Sequence, residues 1–186
     1  MSSSVSRLST PLTVATCRTN IKNLKCMICG KEIEYFDVFI RYHNTRFIAH
    51  LKCAFENGYV LDKKHLIYML KKLKIYLEAI QDLKQYINDV VKGSKGNLIT
   101  VFSKKVIRYF RKTSGSYAII LNLVLRTLTT IVKVEKESKP RTKTNTVRRT
   151  MYRFPISKVP ELINVLTQFE QKIQQQIQYI QQKLKE

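Results

Sequence analysis

Four potential metal ligands in the first third of the chain are arranged as two closely spaced pairs. Cys26 and Cys29 are separated by two residues, as are His50 and Cys53, and 20 residues lie between the pairs. These cysteines are three of only four in the whole chain. Thiolate and imidazole groups at this spacing are the usual ligands of a structural zinc ion. The pattern therefore predicts a zinc site formed by these four residues.

The predicted ligand set also indicates what the metal does. Four protein ligands fill a tetrahedral zinc site and leave no position for an activated water, which favours a structural role. Such a metal would let about 35 residues fold without a core of their own. Four buried residues without a metal, or a catalytic or redox centre, are the alternatives that stay open. Cys17 and His43 are further donors, but neither has a partner three residues away.

The residues around the two pairs predict a turn, a hairpin and a short helix. Gly30 can take the positive φ that a tight turn around a metal requires. "EYFDVFIRY" and "RFIA" are predicted strands joined by a turn at "HNT". His50 and Cys53 would then lie on the first turn of a helix that ends at Asn57. This order resembles a treble-clef zinc finger, and "HLKC" also resembles the zinc fingers of poly(ADP-ribose) polymerases. Both resemblances imply bound zinc.

The same segment also suggests a hypothesis of enzymatic function. Some nucleases of the HNH type are built on a treble-clef frame, and His43 and Asn44 invite the comparison. However, no second histidine or carboxylate stands at a matching place to hold a catalytic metal, and the characteristic Asp-His pair is missing. The chain also has only five glycines and no phosphate-binding glycine loop. We therefore expect no enzymatic activity.

The net charge of the chain indicates a polyanionic partner. Its 186 residues include 34 Lys and Arg against 13 Asp and Glu, which gives a formal charge of +21. Neutralising phosphates with such a surface releases counterions and favours binding. The longest apolar run, from Tyr117 to Leu125, is too short to span a bilayer. With no signal peptide recognised, we expect a cytoplasmic, nucleoid-associated protein.

The predicted fold class is mainly α with small β-hairpins, an α+β arrangement. A long helix is expected to begin after Asp62, which is suited to the N-cap position, and to end at Gly93. The predicted segments are a flexible tail at 1–20, a treble-clef zinc finger at 21–58, a long helix at 62–91, a winged-helix domain at 98–156 and a C-terminal dimerisation helix at 160–186.

The segment 98–156 carries the main functional prediction. Two helices are predicted at 102–112 and 116–128, joined by the turn "TSG", which is a helix-turn-helix pattern. A strand at 129–135, a basic tip at 136–147 and a returning strand at 148–156 follow. This order resembles the winged-helix domains of archaeal, archaeal-virus and bacterial transcription regulators. The resemblance implies binding to double-stranded DNA.

The charge distribution agrees with a nucleic-acid surface in this segment. From Lys92 to Arg153 there are sixteen Lys and Arg and two acidic residues. Asn122, Arg126 and Thr129 fall on one face of the second helix, where Arg suits guanine and Asn suits adenine. A mostly buried helix and a merely solvated basic loop are the alternatives. The residues predicted to contact nucleic acid are Ser116, Tyr117, Asn122, Arg126, Lys136, Lys139, Arg141, Lys143, Arg148 and Arg149.

The C-terminal helix predicts how the chain assembles. Its apolar residues recur in steps of three and four, interrupted at Glu170, and such a stripe must be covered. It can pack on the long helix 62–91 or on a second copy of the chain. Winged-helix regulators often dimerise through flanking helices, so we expect a homodimer. The predicted stripe consists of Ile163, Leu166, Ile173, Ile177, Ile180 and Leu184.

These features together predict a zinc-containing winged-helix protein that binds double-stranded DNA as a homodimer and regulates transcription. A structural RNA-binding or ribosome-associated zinc protein is the alternative, because zinc sites and high charge are also common there. Such a protein would stack bases on exposed aromatic rings. A third possibility is a zinc unit that docks a protein partner. The candidate stacking residues are Tyr109, Phe110, Tyr152 and Phe154.

Overall fold

The protein is described by a computed structural model, and the predicted fold class is confirmed. The described residues contain five α-helices and two small antiparallel sheets, a mixed α+β fold. The chain forms two compact units, Met1–Lys74 with Gln171–Glu186 and Ile75–Glu170. Two long helices each contribute one part to each unit. The structure describes residues 12–41, 47–59, 61–113, 115–133, 136–138 and 150–186.

The sheet of the first unit has the strand order β1-β2-β3, with both pairs antiparallel. Its strands are β1 (Leu12–Val14), β2 (Val38–Arg41) and β3 (Ile48–His50), and helix α1 (Leu51–Glu56) follows directly. β1 lies within the segment 1–20 that the sequence predicts to be a flexible tail. A three-residue strand is too short to show a period, and it becomes ordered because Leu12 and Val14 are buried beside β2.

A small apolar core supports this sheet. Ala15, Ile33 and Phe39 are buried together, and Ile21 and Ile48 pack against them. The sequence predicts that a metal lets this segment fold without such a core. The structure instead shows a small apolar core in the same segment as the four candidate ligands.

Helix α2 (Lys63–Gly93) begins as predicted. The amide of Lys64 donates a hydrogen bond of 3.0 Å to Asp62 Oδ1, which confirms the predicted N-cap. Seven buried positions repeat in alternating steps of three and four, as in a coiled-coil seam, and Ala79 and Tyr86 are buried beside them. Leu70 and Leu77 also stand at helical spacing in the sequence, but they are only partly buried. The buried seam is formed by Leu66, Met69, Leu73, Tyr76, Ile80, Leu83 and Ile87.

The second unit contains the other sheet, with the antiparallel order β4-β6-β5. Its strands are β4 (Leu98–Val101), β5 (Lys136–Ser138) and β6 (Thr150–Pro155). Helices α3 (Ser103–Tyr109) and α4 (Ser116–Ile131) lie between β4 and β5 in sequence.

Helix α4 extends into the predicted strand 129–135. The hydroxyls of Thr129 and Thr130 both donate to the carbonyl oxygen of Arg126, at 2.9 and 3.0 Å. Because threonine can bond to the preceding helical turn in this way, a β-branched run is accommodated in a helix. The predicted strand is therefore wrong for residues 129–131, which are helical, and for Val132 and Lys133, which lie in a turn after the helix.

Helix α5 (Val159–Lys183) follows a short 3-10 turn, Ile156–Lys158. Ile163 and Glu170, which lie on and within the predicted stripe, are only partly buried. In the second unit, Glu170 accepts hydrogen bonds of 2.8 Å from Gln81 and Lys84 of α2. The apolar stripe is thus already covered within a single chain. The buried residues of α5 are Val159, Leu162, Leu166, Phe169, Ile173, Ile177 and Ile180.

Candidate metal centre

The first ligand pair lies on a tight turn. The amide of Cys26 donates to the carbonyl of Lys31 at 2.8 Å, and the amide of Gly30 donates to the carbonyl of Cys26 at 2.9 Å. Gly30 has a φ of 70°, a backbone conformation that glycine adopts without the steric penalty of a side chain. This turn holds Cys26 and Cys29 close together ahead of β2.

The second ligand pair lies at the junction of β3 and α1. His50 is the last residue of β3, and Cys53 is the third residue of α1. A hydrogen bond connects the two pairs: the backbone amide of His50 donates to Cys26 Sγ at 3.4 Å. The predicted position of the "HLKC" pair at the start of a helix is therefore confirmed.

The four ligand atoms all lie within 4.8 Å of one another. His50 Nδ1 is 3.5 Å from Cys29 Sγ and 3.9 Å from Cys53 Sγ. Bonds of about 2.3 Å to sulfur and about 2.0 Å to nitrogen place tetrahedral ligand atoms about 3.5–3.8 Å apart. The donor set and its spacing therefore fit a zinc ion bound through three sulfurs and His50 Nδ1.

The protonation of the thiols is set by their surroundings. Burial acts to raise the pKa of Cys26, but hydrogen bonds from the backbone amides of Cys29, His50 and Ile28 lower it to about 6. Burial and the neighbouring Cys29 and Cys26 raise the pKa of Cys53 to about 12. Because the thiolate is the metal-binding form, a metal ion that binds Cys53 at neutral pH must displace its proton.

The other donors singled out in the sequence do not join this cluster. Cys17 is half-buried and lies outside it. His43 lies outside the described residues. Within the described parts of the chain, Cys26, Cys29, His50 and Cys53 are the one group of three or more such donors close enough to hold a metal.

Asp37 is a further residue at this centre, and sequence reasoning missed it. Its Oδ2 atom lies 3.5 Å from His50 Nε2, the ring nitrogen that points away from the sulfurs. Its one signal in the sequence is an acidic residue in the middle of the predicted strand "EYFDVFIRY". That pattern alone does not indicate which histidine it approaches.

Four residues of α4 are predicted to contact nucleic acid, and three of them are exposed. Ser116, Asn122 and Arg126 are exposed, and Asn122 Nδ2 donates to the carbonyl of Ala118 at 2.8 Å. Thr129 is buried, and Thr130 is exposed instead. The exposed residues of α4 therefore form a narrow stripe along the helix.

Tyr117 differs from the other predicted contacts because only 7% of it is exposed. Its hydroxyl donates a hydrogen bond of 2.7 Å to Asp82 of α2. Burial and the Asp82 carboxylate raise the pKa of this hydroxyl, which stays protonated at neutral pH. The structure therefore gives Tyr117 a stabilising contact within the second unit.

The predicted wing lies largely outside the part of the chain that the structure describes. Lys136 belongs to β5. Three exposed basic residues of α3, Lys104, Lys105 and Arg108, were not among the predicted contacts. The predicted contacts outside the described residues are Lys139, Arg141, Lys143, Arg148 and Arg149.

Replacing Tyr117 with phenylalanine tests its structural role. The change removes the hydrogen bond to Asp82, which keeps its 3.7 Å ion pair with Lys112. We expect a loss of about 1.5–3 kcal/mol in the free energy of unfolding, the usual contribution of a hydrogen bond to a charged group. Tyr109 is a matched control: it also donates to an aspartate, Asp89, but is 52% exposed. Denaturant titration should show a much smaller effect for Tyr109→Phe. Equal effects of the two substitutions would contradict the assignment.

No protein-family model matches the chain, and neither does any curated protein or solved structure. The function is therefore inferred from the metal-ligand geometry and from the fold of the chain itself. None of the helices in the described ranges combines the length and apolar character needed to cross a membrane.

Proposed function

We propose that the chain is a zinc-containing DNA-binding protein in which the metal is structural. The observation that carries this proposal is the approach of the four ligand atoms of Cys26, Cys29, His50 and Cys53 to within 4.8 Å. Three sulfurs and one imidazole complete a zinc coordination shell, so the ion stabilises the fold and holds no open position for a substrate. The cysteines would hold the ion as thiolates, and His50 as a neutral imidazole.

The proposed DNA-binding element is the second unit, as a winged-helix domain of a nucleoid-associated transcription regulator. The order of α3, α4, β5 and β6 supports it, since two helices followed by a two-stranded hairpin is the arrangement that the resemblance implies. The exposed Asn122 and Arg126 of α4 would read base edges. Basic residues of α3 and of the segment between β5 and β6 would contact phosphates.

We favour duplex DNA over RNA as the ligand because two of the four candidate stacking residues are buried. Tyr152 and Phe154 are buried, so they do not form a platform for stacking bases. Tyr109 is exposed, but its ring contacts those of Tyr86 and Phe110, with centroids 5.5 and 4.9 Å away. RNA binding is the alternative that the binding experiment tests.

A salt titration of binding to duplex DNA, duplex RNA and single strands tests the proposal. If Arg148 and Arg149 contact phosphates, their double replacement by alanine should make the salt dependence shallower by about two charges and weaken all sequences alike. Arg126→Ala should cost about 1–3 kcal/mol at a preferred duplex site and little elsewhere.

Lys185→Ala is the control, because it removes one exposed positive charge from the first unit and is not among the residues proposed to contact DNA. It should leave sequence preference unchanged. A-form RNA hides its major groove from side chains, so α4 should bind it more weakly than DNA. Equal or tighter binding to RNA, with no preferred DNA sequence in a selection experiment, would contradict the DNA-binding proposal and favour the RNA-binding alternative.

A further inference from the structure

His50 uses its two ring nitrogens for different contacts. Nδ1 faces Cys29 Sγ and Cys53 Sγ, whereas Nε2 lies 3.5 Å from Asp37 Oδ2. Only 13% of the Asp37 side chain is exposed, so this carboxylate is not a freely solvated neighbour. A carboxylate at the outer nitrogen favours the tautomer with its proton on Nε2, which leaves the Nδ1 lone pair for a metal.

Asp37 is itself held from two sides. Its Oδ2 atom accepts a hydrogen bond of 2.7 Å from the backbone amide of Glu34. Its Oδ1 atom lies 3.0 Å from Nζ of Lys172, which belongs to α5. Lys172 Nζ also donates to Glu34 Oε2 at 2.9 Å and to the carbonyl of Tyr35 at 3.2 Å. One ammonium group therefore closes the turn that precedes β2.

We propose that Asp37 and Lys172 are positioning residues of the metal centre. Asp37 orients His50 towards the metal, and Lys172 holds Asp37 in place from a helix near the opposite end of the chain. This inference rests on the proposed metal site and adds the contacts that orient one of its ligands. All of these residues lie in the first unit.

The electrostatics of the contacts supports this assignment. A half-buried carboxylate needs a compensating charge, because removing one partner of a buried ion pair leaves the other poorly solvated. Lys172 supplies that charge to both Asp37 and Glu34. Groups beyond the direct ligands commonly change metal affinity 10–100-fold, because they fix ligand orientation and basicity.

The arrangement also couples the metal to the end of α5. If docking of Lys172 strengthens metal binding, metal binding must strengthen the docking of that part of α5 by the same factor, because the two equilibria are linked. The amides from Lys172 to Lys183 should therefore exchange more slowly in the metal-bound chain than after chelation. This coupling connects a residue of the C-terminal helix with ligands in the first third of the chain.

Competition with a chelator, using Zn²⁺ and Co²⁺ separately, measures the expected effect. Asp37→Asn and Lys172→Met should each lower metal affinity by about 10–100-fold. The metal affinity of the double variant should be no lower than that of the weaker-binding single variant, since Lys172 acts through Asp37. At saturating Co²⁺ the absorption bands of cobalt-bound thiolates should remain, because the three sulfur ligands are unchanged.

Lys84→Met provides a matched control. Lys84 and Lys172 are each 25% exposed, and each pairs with a partly buried carboxylate, that of Lys84 being Glu170. Its replacement removes a comparable ion pair in the second unit and should leave metal affinity unchanged. A full-length variant of Lys172 that binds metal as tightly as the wild type would overturn the positioning role alone. A wild-type chain that binds neither metal would overturn the zinc site and this inference together.

Discussion

Cys29→Ser should abolish stoichiometric zinc binding and unfold the sheet and helix that surround the metal centre. Cys29 is exposed, so replacing its sulfur with oxygen removes little packing, and the effect must arise through the metal. Structural zinc sites contribute about 10–16 kcal/mol of apparent binding free energy. That is as large as the whole stability of an ordinary domain, about 5–15 kcal/mol.

Elemental analysis and amide hydrogen exchange measure this result. The wild-type chain should carry about one zinc ion, and the amides of β2, β3 and α1 should lose protection in the variant. Helix α4, which is largely buried in the second unit, should retain its protection. Chelation of the wild-type protein should reproduce the pattern.

Cys17→Ser is the matched control, because Cys17 lies outside the ligand cluster. It should bind zinc as the wild type does. A wild-type chain without zinc, or with coloured iron in its place, would contradict the structural-zinc assignment. Full protection of β2 and β3 in metal-free Cys29→Ser would show that the small apolar core is sufficient.

Leu166→Ala should destabilise the chain by about 2–5 kcal/mol, the usual cost of truncating a fully buried leucine. Leu166 has no exposed surface in the single chain. Removal of residues 160–186 should be more severe, since each buried aliphatic or aromatic side chain of α5 contributes about 1.5–3 kcal/mol. We therefore expect the shortened chain to unfold or aggregate, and not to become a stable monomer.

Denaturant titration and light scattering test this expectation. Gln168→Ala is the control within the same helix, because Gln168 is exposed and its loss should change stability little. A chain whose stability is concentration-dependent, and whose dimer dissociates on Leu166→Ala, would show instead that α5 is a dimer interface. The homodimer remains a prediction, and the burial of this stripe means that it would need another surface.

The metal site was predictable from the sequence because its ligands are rare residues at short, fixed spacings. Cys26 and Cys29 are three positions apart in the sequence, as are His50 and Cys53, so local structure alone brings the members of each pair together. Soft donors arranged in this way have few other uses. The same locality made the cap of α2 at Asp62 and the helix start after His50 predictable.

The choice between neighbouring apolar residues was not predictable. Helix α2 offers Met69 beside Leu70 and Tyr76 beside Leu77, and each choice satisfies a helical period. The structure buries Met69 and Tyr76, because the covered face is set by the elements that pack on the helix. Periodicity indicates that a helix has an apolar face but does not specify its orientation to within one residue.

The sequence by itself determined the α+β class, the four candidate metal ligands and the two long helices, since each depends on residues close together in the chain. Tertiary structure decided that α5 is covered within one chain, that Tyr117 donates to Asp82, and that Lys172 reaches Asp37. These contacts join residues 35 to 135 positions apart. No local pattern encodes such partners, because a lysine or tyrosine on a helix looks the same in sequence whether solvent or a buried carboxylate faces it.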